Sequence, residues 1–408
     1  MSQSLRSARA RSLVASLFLV ACGGSSGTGV DPQGSRGTKG IGNELVPPTG
    51  LCNSAEAVVT FEDANLATAL VDYLSGVSSP DELTCGRLAT VLYFTAERTR
   101  CGCSPLPPQI QSLAGIQNLV ALKTLDFPGH LIDDLGPLAG MPQLESVSLA
   151  DNLISDLGPL QGLVNLKSLD LGDNQIQDLG PLENLTGLTG LALAGNDIAD
   201  LTPLEGLTDL EVLELQGNVV ADVAPLAPLT NLNTLLLGTL PLYQGPAGEN
   251  LVADIGVLDG MTGLETLSLH GNPVTDLSPI AGLTSLNILV LESLDTGDFT
   301  PVAGLTGLTQ LYIEDNGISD IGFLDALDGL SFLDMEYNAI TDVSPVADMV
   351  DLFTLNMSFN PDLVDIGPVL SNTGIGNGDL VGVYGTQVAC ADVDALKVKG
   401  VNTYSSCD

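Results

Sequence analysis

Between Lys167 and Lys397 the chain contains neither lysine nor arginine, and twelve basic residues in the whole stand against fifty acidic ones. A net charge of −38 repels phosphate backbones, so nucleic acid is excluded as a partner. Only two histidines are present, His130 and His270, with no G-x-S-x-G turn and no nucleophile near either in sequence. No catalytic residue is therefore assigned, and the chain is read as a non-enzyme without a cofactor. Aromatics make up 4% of residues and tryptophan is absent, so a local cluster of phenylalanine and tyrosine would stand out. The longest apolar run near the N-terminus, Leu13 to Ala21, is too short to span a bilayer and has the length of a signal-peptide core.

What is present is a repeat. From Leu122 onward the pattern L-x-x-L-x-L-x-x-N-x-I-x-D-L-x-P-L-x-G-L-x-x recurs in eleven units, beginning at Leu122, Leu144, Leu166, Leu188, Leu210, Leu232, Leu264, Leu286, Leu308, Leu330 and Leu352. One unit cannot bury its leucines alone, so stacked units must share a core and offer a long surface. Alternation around positions four and six predicts a short strand, with leucines inward and positions five and seven outward.

Asparagine at position nine (Asn152, Asn174, Asn196, Asn218, Asn272, Asn316, Asn338, Asn360) is spaced to bond turn backbone between units, and His130, Leu240 and Leu294 interrupt that column. Aspartate at position thirteen, from Asp134 to Asp342 with Asp365 displaced by one, forms either a cation ladder or a set of turn caps; capping is preferred, because a tight turn leaves amide donors unpaired. The prolines that follow fit the early turn, where a missing N–H costs little.

The I-x-D-L-x-P-L-x-G-L half of this unit resembles the internalin-like class of bacterial leucine-rich repeats. The resemblance implies an α/β repeat solenoid, a horseshoe with parallel strands on the concave face, 3₁₀ turns on the convex face and a concave face that binds proteins. It covers residues 109–374, including a half unit at Ile110, Leu113, Ile116 and Leu119. A helical N-terminal cap over 52–108 is expected, with a helix between Phe61 and Leu74 and a second begun by a capping box at Ser79-Pro80-Asp81-Glu82. A C-terminal cap over 375–408 is expected to hold a helix from Cys390 and a strand from Val401 to Tyr404.

Arg6, Arg9, Arg11, the apolar run and then Leu19-Val20-Ala21-Cys22 occur in the order of a lipoprotein signal, and the last four residues resemble the bacterial lipobox. The reading is a signal peptide over 1–21, a lipidated Cys22, and a Gly/Ser/Pro-rich tether over 22–51 whose reach is roughly 30 Å. Glycine after the cysteine, by resemblance to Gram-negative lipoproteins, points to the outer membrane, with the lipid as the sole membrane contact.

The six other cysteines lie outside the repeats of an exported chain, which favours disulfides. Cys390 and Cys407 are expected to bond, a closure worth roughly 3 kcal/mol in the chain-entropy model. Cys52, Cys85, Cys101 and Cys103 allow three pairings, and Cys101 is not expected to bond Cys103. The Cys101-Gly102-Cys103 spacing lacks a second pair, so no metal site is assigned.

Two surfaces rise above the scaffold. The unit at Leu232 carries a ten-residue excess, 241–250, whose Tyr243 and Gln244 are candidate contacts, since solenoid insertions often sit on a binding face. The second is the outward strip Glu292, Glu314 and Glu336 with Tyr312, Asp334, Phe332 and Tyr337, near Phe353 and Phe359. Charges beside aromatics make a recognition surface for a protein with a basic face; the alternative is a polysaccharide-binding or structural envelope protein that uses the same acidic, aromatic-bearing surface.

Overall fold

The computed structural model describes residues 45–96, 108–239 and 249–407. The leucine repeat forms one parallel sheet of fourteen strands in chain order, from β3 (Tyr93–Thr95) to β16 (Asn402–Tyr404). Eleven of them, β4 (Thr124–Asp126) to β14 (Thr354–Asn356), are positions three to five of the eleven units. Register advances by one unit per strand, as in Leu191↔Leu213. The backbone ladder runs on past each strand: Leu215 N–H donates to the Leu236 carbonyl at 2.8 Å, and Gly195 N–H to that of Gln216 at 2.7 Å. Positions five and seven consequently share the outward face while position six is buried.

The insertion does not slip the register. Thr234 pairs with Thr266 and Leu235 with Leu267, so β9 (Thr234–Leu236) and β10 (Thr266–Ser268) simply stand 32 residues apart. Opposite the sheet every unit but the last turns through a 3₁₀ segment such as Gly180–Leu182. The strands are held at the roughly 4.8 Å spacing of backbone hydrogen bonds, so the sheet side is the tighter and becomes concave. Between the two sides, one apolar core runs continuously from Val46 to Val401.

Two polar columns hold the turns as expected. The side-chain oxygen of Asn174 accepts the Ile154 N–H at 2.9 Å, and its amide donates to the Leu149 and Leu171 carbonyls, tying neighbouring units together. Asp178 Oδ1 accepts the Gly180 N–H at 2.8 Å, and the same bond recurs from Asp134 to Asp365. These carboxylates are turn caps; hydrogen bonds from Thr202, Ser278 and Thr300 hold Asp200, Asp276 and Asp298 below the usual carboxylate range.

At the interruptions of the asparagine column the structure departs from expectation. His130 is buried and does the work of asparagine: Ile110 N–H donates to its Nδ1, and its Nε2 lies 2.6 Å from the Ala96 carbonyl. Leu240 lies outside the described residues, but Asn250 restores the column beyond the insertion, accepting from Val220 N–H at 2.9 Å and donating to the Leu215 and Leu237 carbonyls. At Leu294 the N–H is taken by Asn316 of the next unit.

The caps extend the sheet as well as cover it. Helix α1 (Ala64–Tyr73) is capped by Asp63, which accepts from Asn65 and Leu66. The predicted capping box at Ser79 is not formed: Pro80–Glu82 is one 3₁₀ turn, Glu82 reaches the Ser78 N–H instead, and the next helix is α2 (Cys85–Leu88). The cap also begins earlier than expected, because β1 (Leu45–Val46) pairs with β2 (Val58–Val59) and buries Val46, residues assigned from sequence to the tether. Cys52 bonds Cys85.

At the other end, helix α3 (Gly367–Ser371) replaces the last 3₁₀ turn, and β15 (Leu380–Gly382) and β16 continue the sheet. Helix α4 (Cys390–Val398) then closes the core, locked by the expected Cys390–Cys407 bond. No helix among the described residues is long and apolar enough to cross a membrane. Cys22, Cys101, Cys103, Tyr243 and Gln244 lie outside those residues.

Candidate binding face

Stacking of the units turns each outward position into a column, and the columns differ from one end of the concave face to the other. At position three the residues begin as Thr124, Ser146, Ser168 and Gly190 and become Ile288, Gln310 and Phe332. The largest side chains of this column thus fall at Ile288, Gln310 and Phe332, before Thr354 ends it.

There the predicted strip is brought together, with one change of role. Glu314, Asp334 and Glu336 place carboxylate oxygens within 4.8 Å of one another. Asp334, though, is only 5% exposed and forms the floor of the strip instead of its outer surface. It sits between neighbouring strands: Asn356 donates to its Oδ2 at 3.2 Å and also to Glu336, while Glu336 N–H donates to its Oδ1 at 3.2 Å. Burial pushes the Asp334 carboxyl up to about 7; the Asn356 bond opposes this, and the Glu336 and Glu292 charges add to it. Glu292 stands 2.8 Å from His270 Nδ1, both mostly buried. His270, at position seven of its unit, is therefore part of the strip.

Aromatic rings flank these carboxylates. Tyr312 stacks on Phe332 with centroids 4.7 Å apart, and Tyr312 Oη donates to Gln310. Tyr337 lies parallel to Phe359 at 4.3 Å; Phe359 meets the edge of Tyr384, which stacks on Tyr404 at 5.0 Å. Tyr337 and Phe359 occupy position eight, where the chain turns at positive φ and most units use Gly, Asp or Ser. Both are held at φ 56°, a left-handed conformation that costs a bulky side chain about 1 kcal/mol or more and that concentrates at functional sites. Phe353 is exposed on the rim at position two.

A second polar group, not anticipated from sequence, lies mid-face. Glu214 is 3% exposed and Gln216 5%, although both point from the concave side. Burial and the Asp170 charge push the Glu214 carboxyl up to about 7. Asp170 is raised too, by burial first and the Asp126 charge last, against bonds from Gly172 N–H and the Ser148 hydroxyl. The signal available in sequence was the carboxylate at position five in alternate units, Asp126, Asp170 and Glu214; their burial was not legible. On the convex side, shallow clefts lie between turns, lined by residues such as Asp200, Thr202 and Glu205, or Asp320, Asp342 and Ser344, which are the turn caps and their neighbours.

A family model described as leucine-rich repeats (2 copies) matches residues 142–184. An internalin (inlF) from Listeria monocytogenes has a crystal structure that superposes with a TM-score of 0.73 at 29% identity, covering 85% of this chain and 95% of that one. The functional domain of InlJ from Listeria monocytogenes matches at 0.57 and 19% identity over 80% of this chain and 74% of its own. A leucine-rich repeat protein of Leptospira interrogans matches at 0.50 and 15% identity, over 78% and 97%. The last two share the fold. No curated protein matches.

Proposed function

The chain is an internalin-like leucine-rich repeat protein, and on that premise we propose that it is a protein-binding module whose partner docks on the C-terminal third of the concave face. The observation that carries this is the continuous strip in which Glu292, Glu314 and Glu336 run beside Tyr312, Phe332 and Tyr337 over the Asp334 floor. Interface cores favour aromatics, and a chain carrying −38 selects a partner with a basic face.

The order of Arg-rich start, apolar run and lipobox supports export, removal of 1–21 and lipidation of Cys22, tethering the module in the cell envelope, in our reading at the outer membrane. The Cys22→Ser variant then loses labelling by a fatty-acid analogue, and retained labelling contradicts the assignment.

Surface plasmon resonance against the partner co-purified from the native membrane tests the binding face. Tyr312→Ala and Phe332→Ala each weaken binding by about 2 kcal/mol, more than any single Glu→Gln change, while the triple Glu292, Glu314, Glu336→Gln variant slows association at low salt. Wild-type binding by all of these, with loss on deleting 241–250, moves the site to the insertion carrying Tyr243 and Gln244.

A further inference from the structure

We propose that Asp170, Glu214 and Gln216 form a socket in the middle of the concave face for one basic side chain of the partner, a second anchor beyond the C-terminal strip. The inference rests on the concave-face reading and specifies what the partner must carry.

The argument begins with accounting for donors and acceptors. Gln216 is nine-tenths buried, yet its Oε1 has no hydrogen-bond partner. Two residues earlier, on the same face, Glu214 is also buried, and among the described residues no donor reaches its carboxylate. Two strands away across Ala192, Asp170 is close enough for its charge to act on Glu214. Two acceptors thus stand two residues apart on one face without a donor, while Asp170, bonded by Gly172 N–H and the Ser148 hydroxyl, adds negative charge beside them. Buried acceptors left unpaired are costly, and two carboxylates held near one another are costlier still.

No cation of this chain is at hand to neutralise these carboxylates. The chain has no lysine or arginine between Lys167 and Lys397, and Lys167 is committed to the Gly187 carbonyl at 3.1 Å. Small residues stand on one side of Glu214 and in the column of Gln216, namely Ala192 on the adjacent strand and Gly172, Ala194 and Gly238 at the position of Gln216, while Leu236 bounds Glu214 on the other side. An ammonium or guanidinium carries several donors and positive charge, which answers Glu214, Asp170 and Gln216 Oε1 together.

The position of the socket sets a ruler. Glu214 lies on β8 (Val212–Glu214) and Asp334 on β13 (Phe332–Asp334), five strand steps apart, or about 24 Å along the sheet at about 4.8 Å per step. An extended peptide covers that distance in roughly seven residues. A partner segment that uses both sites therefore runs along the solenoid axis with two basic side chains about seven residues apart.

Fluorescence anisotropy with two labelled twelve-residue peptides of equal composition tests this. One carries two arginines seven residues apart, the other carries them adjacent, and lysine versions of both distinguish ammonium from guanidinium. The widely spaced peptide should bind the full chain at least about tenfold more tightly. Glu214→Gln and Gln216→Leu should each remove that advantage without lowering the melting temperature, since Leu at 216 removes an unpaired acceptor. Equal affinity for the two spacings, wild-type affinity in both variants, or no saturable binding by the wild type overturns the socket. Tyr312→Ala separates this failure from the larger one: if it still weakens binding while the Glu214 and Gln216 variants do not, the C-terminal strip stands alone, and if none of the three matters, the concave reading itself fails.

Discussion

Gln216 and Asn218 carry the same carboxamide, stand two residues apart, and are both buried, at 5% and 0% exposure. Asn218 takes the Ile198 N–H and donates to the carbonyls of Leu193 and Leu215, so it binds two neighbouring units together. Gln216 leaves its Oε1 without a partner. The carboxylates divide by burial and by the direction of their shift, Asp334 keeping bonds from Asn356 and Glu336 N–H. Convex aspartates are exposed and bonded by the turn they cap, and where they shift they shift down; Glu214 and Asp334 on the concave side are buried and shifted up to about 7. Folding alone rewards satisfied polar groups, so the convex and inter-unit sets are explained by the fold itself. The buried concave carboxylates and Gln216 cost stability, and on the proposed reading that cost is offset when a cation or donor arrives.

The contrast can be broken most forcibly at the satisfied amide. Asn218→Leu strands the Ile198 N–H and two buried carbonyls, and should destabilise the protein by about 3 kcal/mol or more in chemical unfolding. A loss under about 1 kcal/mol would mean that the asparagine column is incidental.

Next in size is a change of opposite sign on the concave floor. Because the folded Asp334 carboxyl titrates near 7 and the unfolded one near 3.8, the unfolded chain releases its proton first as pH rises. The stability associated with this group is complete below about pH 4 and lost as pH climbs toward 7. Asp334→Asn should therefore be more stable than wild type by on the order of 2 kcal/mol at pH 8 and show no such advantage at pH 4. An advantage independent of pH would place its origin in packing instead.

Smaller again, Gln216→Leu should raise stability by about 1 kcal/mol, the relief of one unpaired buried acceptor. Smallest is the convex exchange that keeps the acceptor: Asp178→Asn should leave the melting temperature within about a degree of wild type, whereas Asp178→Ala loses the cap and costs about 1 kcal/mol. A clear gain from Asp178→Asn would make the two faces alike and remove the distinction.

Sequence made the satisfied half of this picture legible and the costly half largely not. Asn152, Asn174 and Asp178 recur at fixed positions because the same bond recurs in every unit, and Cys390 with Cys407 fell within one short terminal segment. His130 and Asn250 were missed because they meet the same need from a different residue type or from across an insertion. Strands β3 and β15 carry no leucine signature, since Phe94 and Val381 sit at the inward position. The charged and aromatic columns near Glu314 could be aligned from sequence, yet the depth of Asp334 could not. Burial on a concave face depends on the size of neighbours one and two strands away, such as Asn356 over Asp334 or Ala192 beside Glu214, and no single repeat encodes it.

Hydroxyl-radical footprinting of the protein with and without its co-purified partner tests the concave-face claim most directly, because aromatic side chains report their own exposure on both faces. Protection of Tyr312, Phe332 and Tyr337, with Phe323 in the convex turn unchanged, is the predicted result. Protection at Phe323 with the three concave rings unaltered would contradict it.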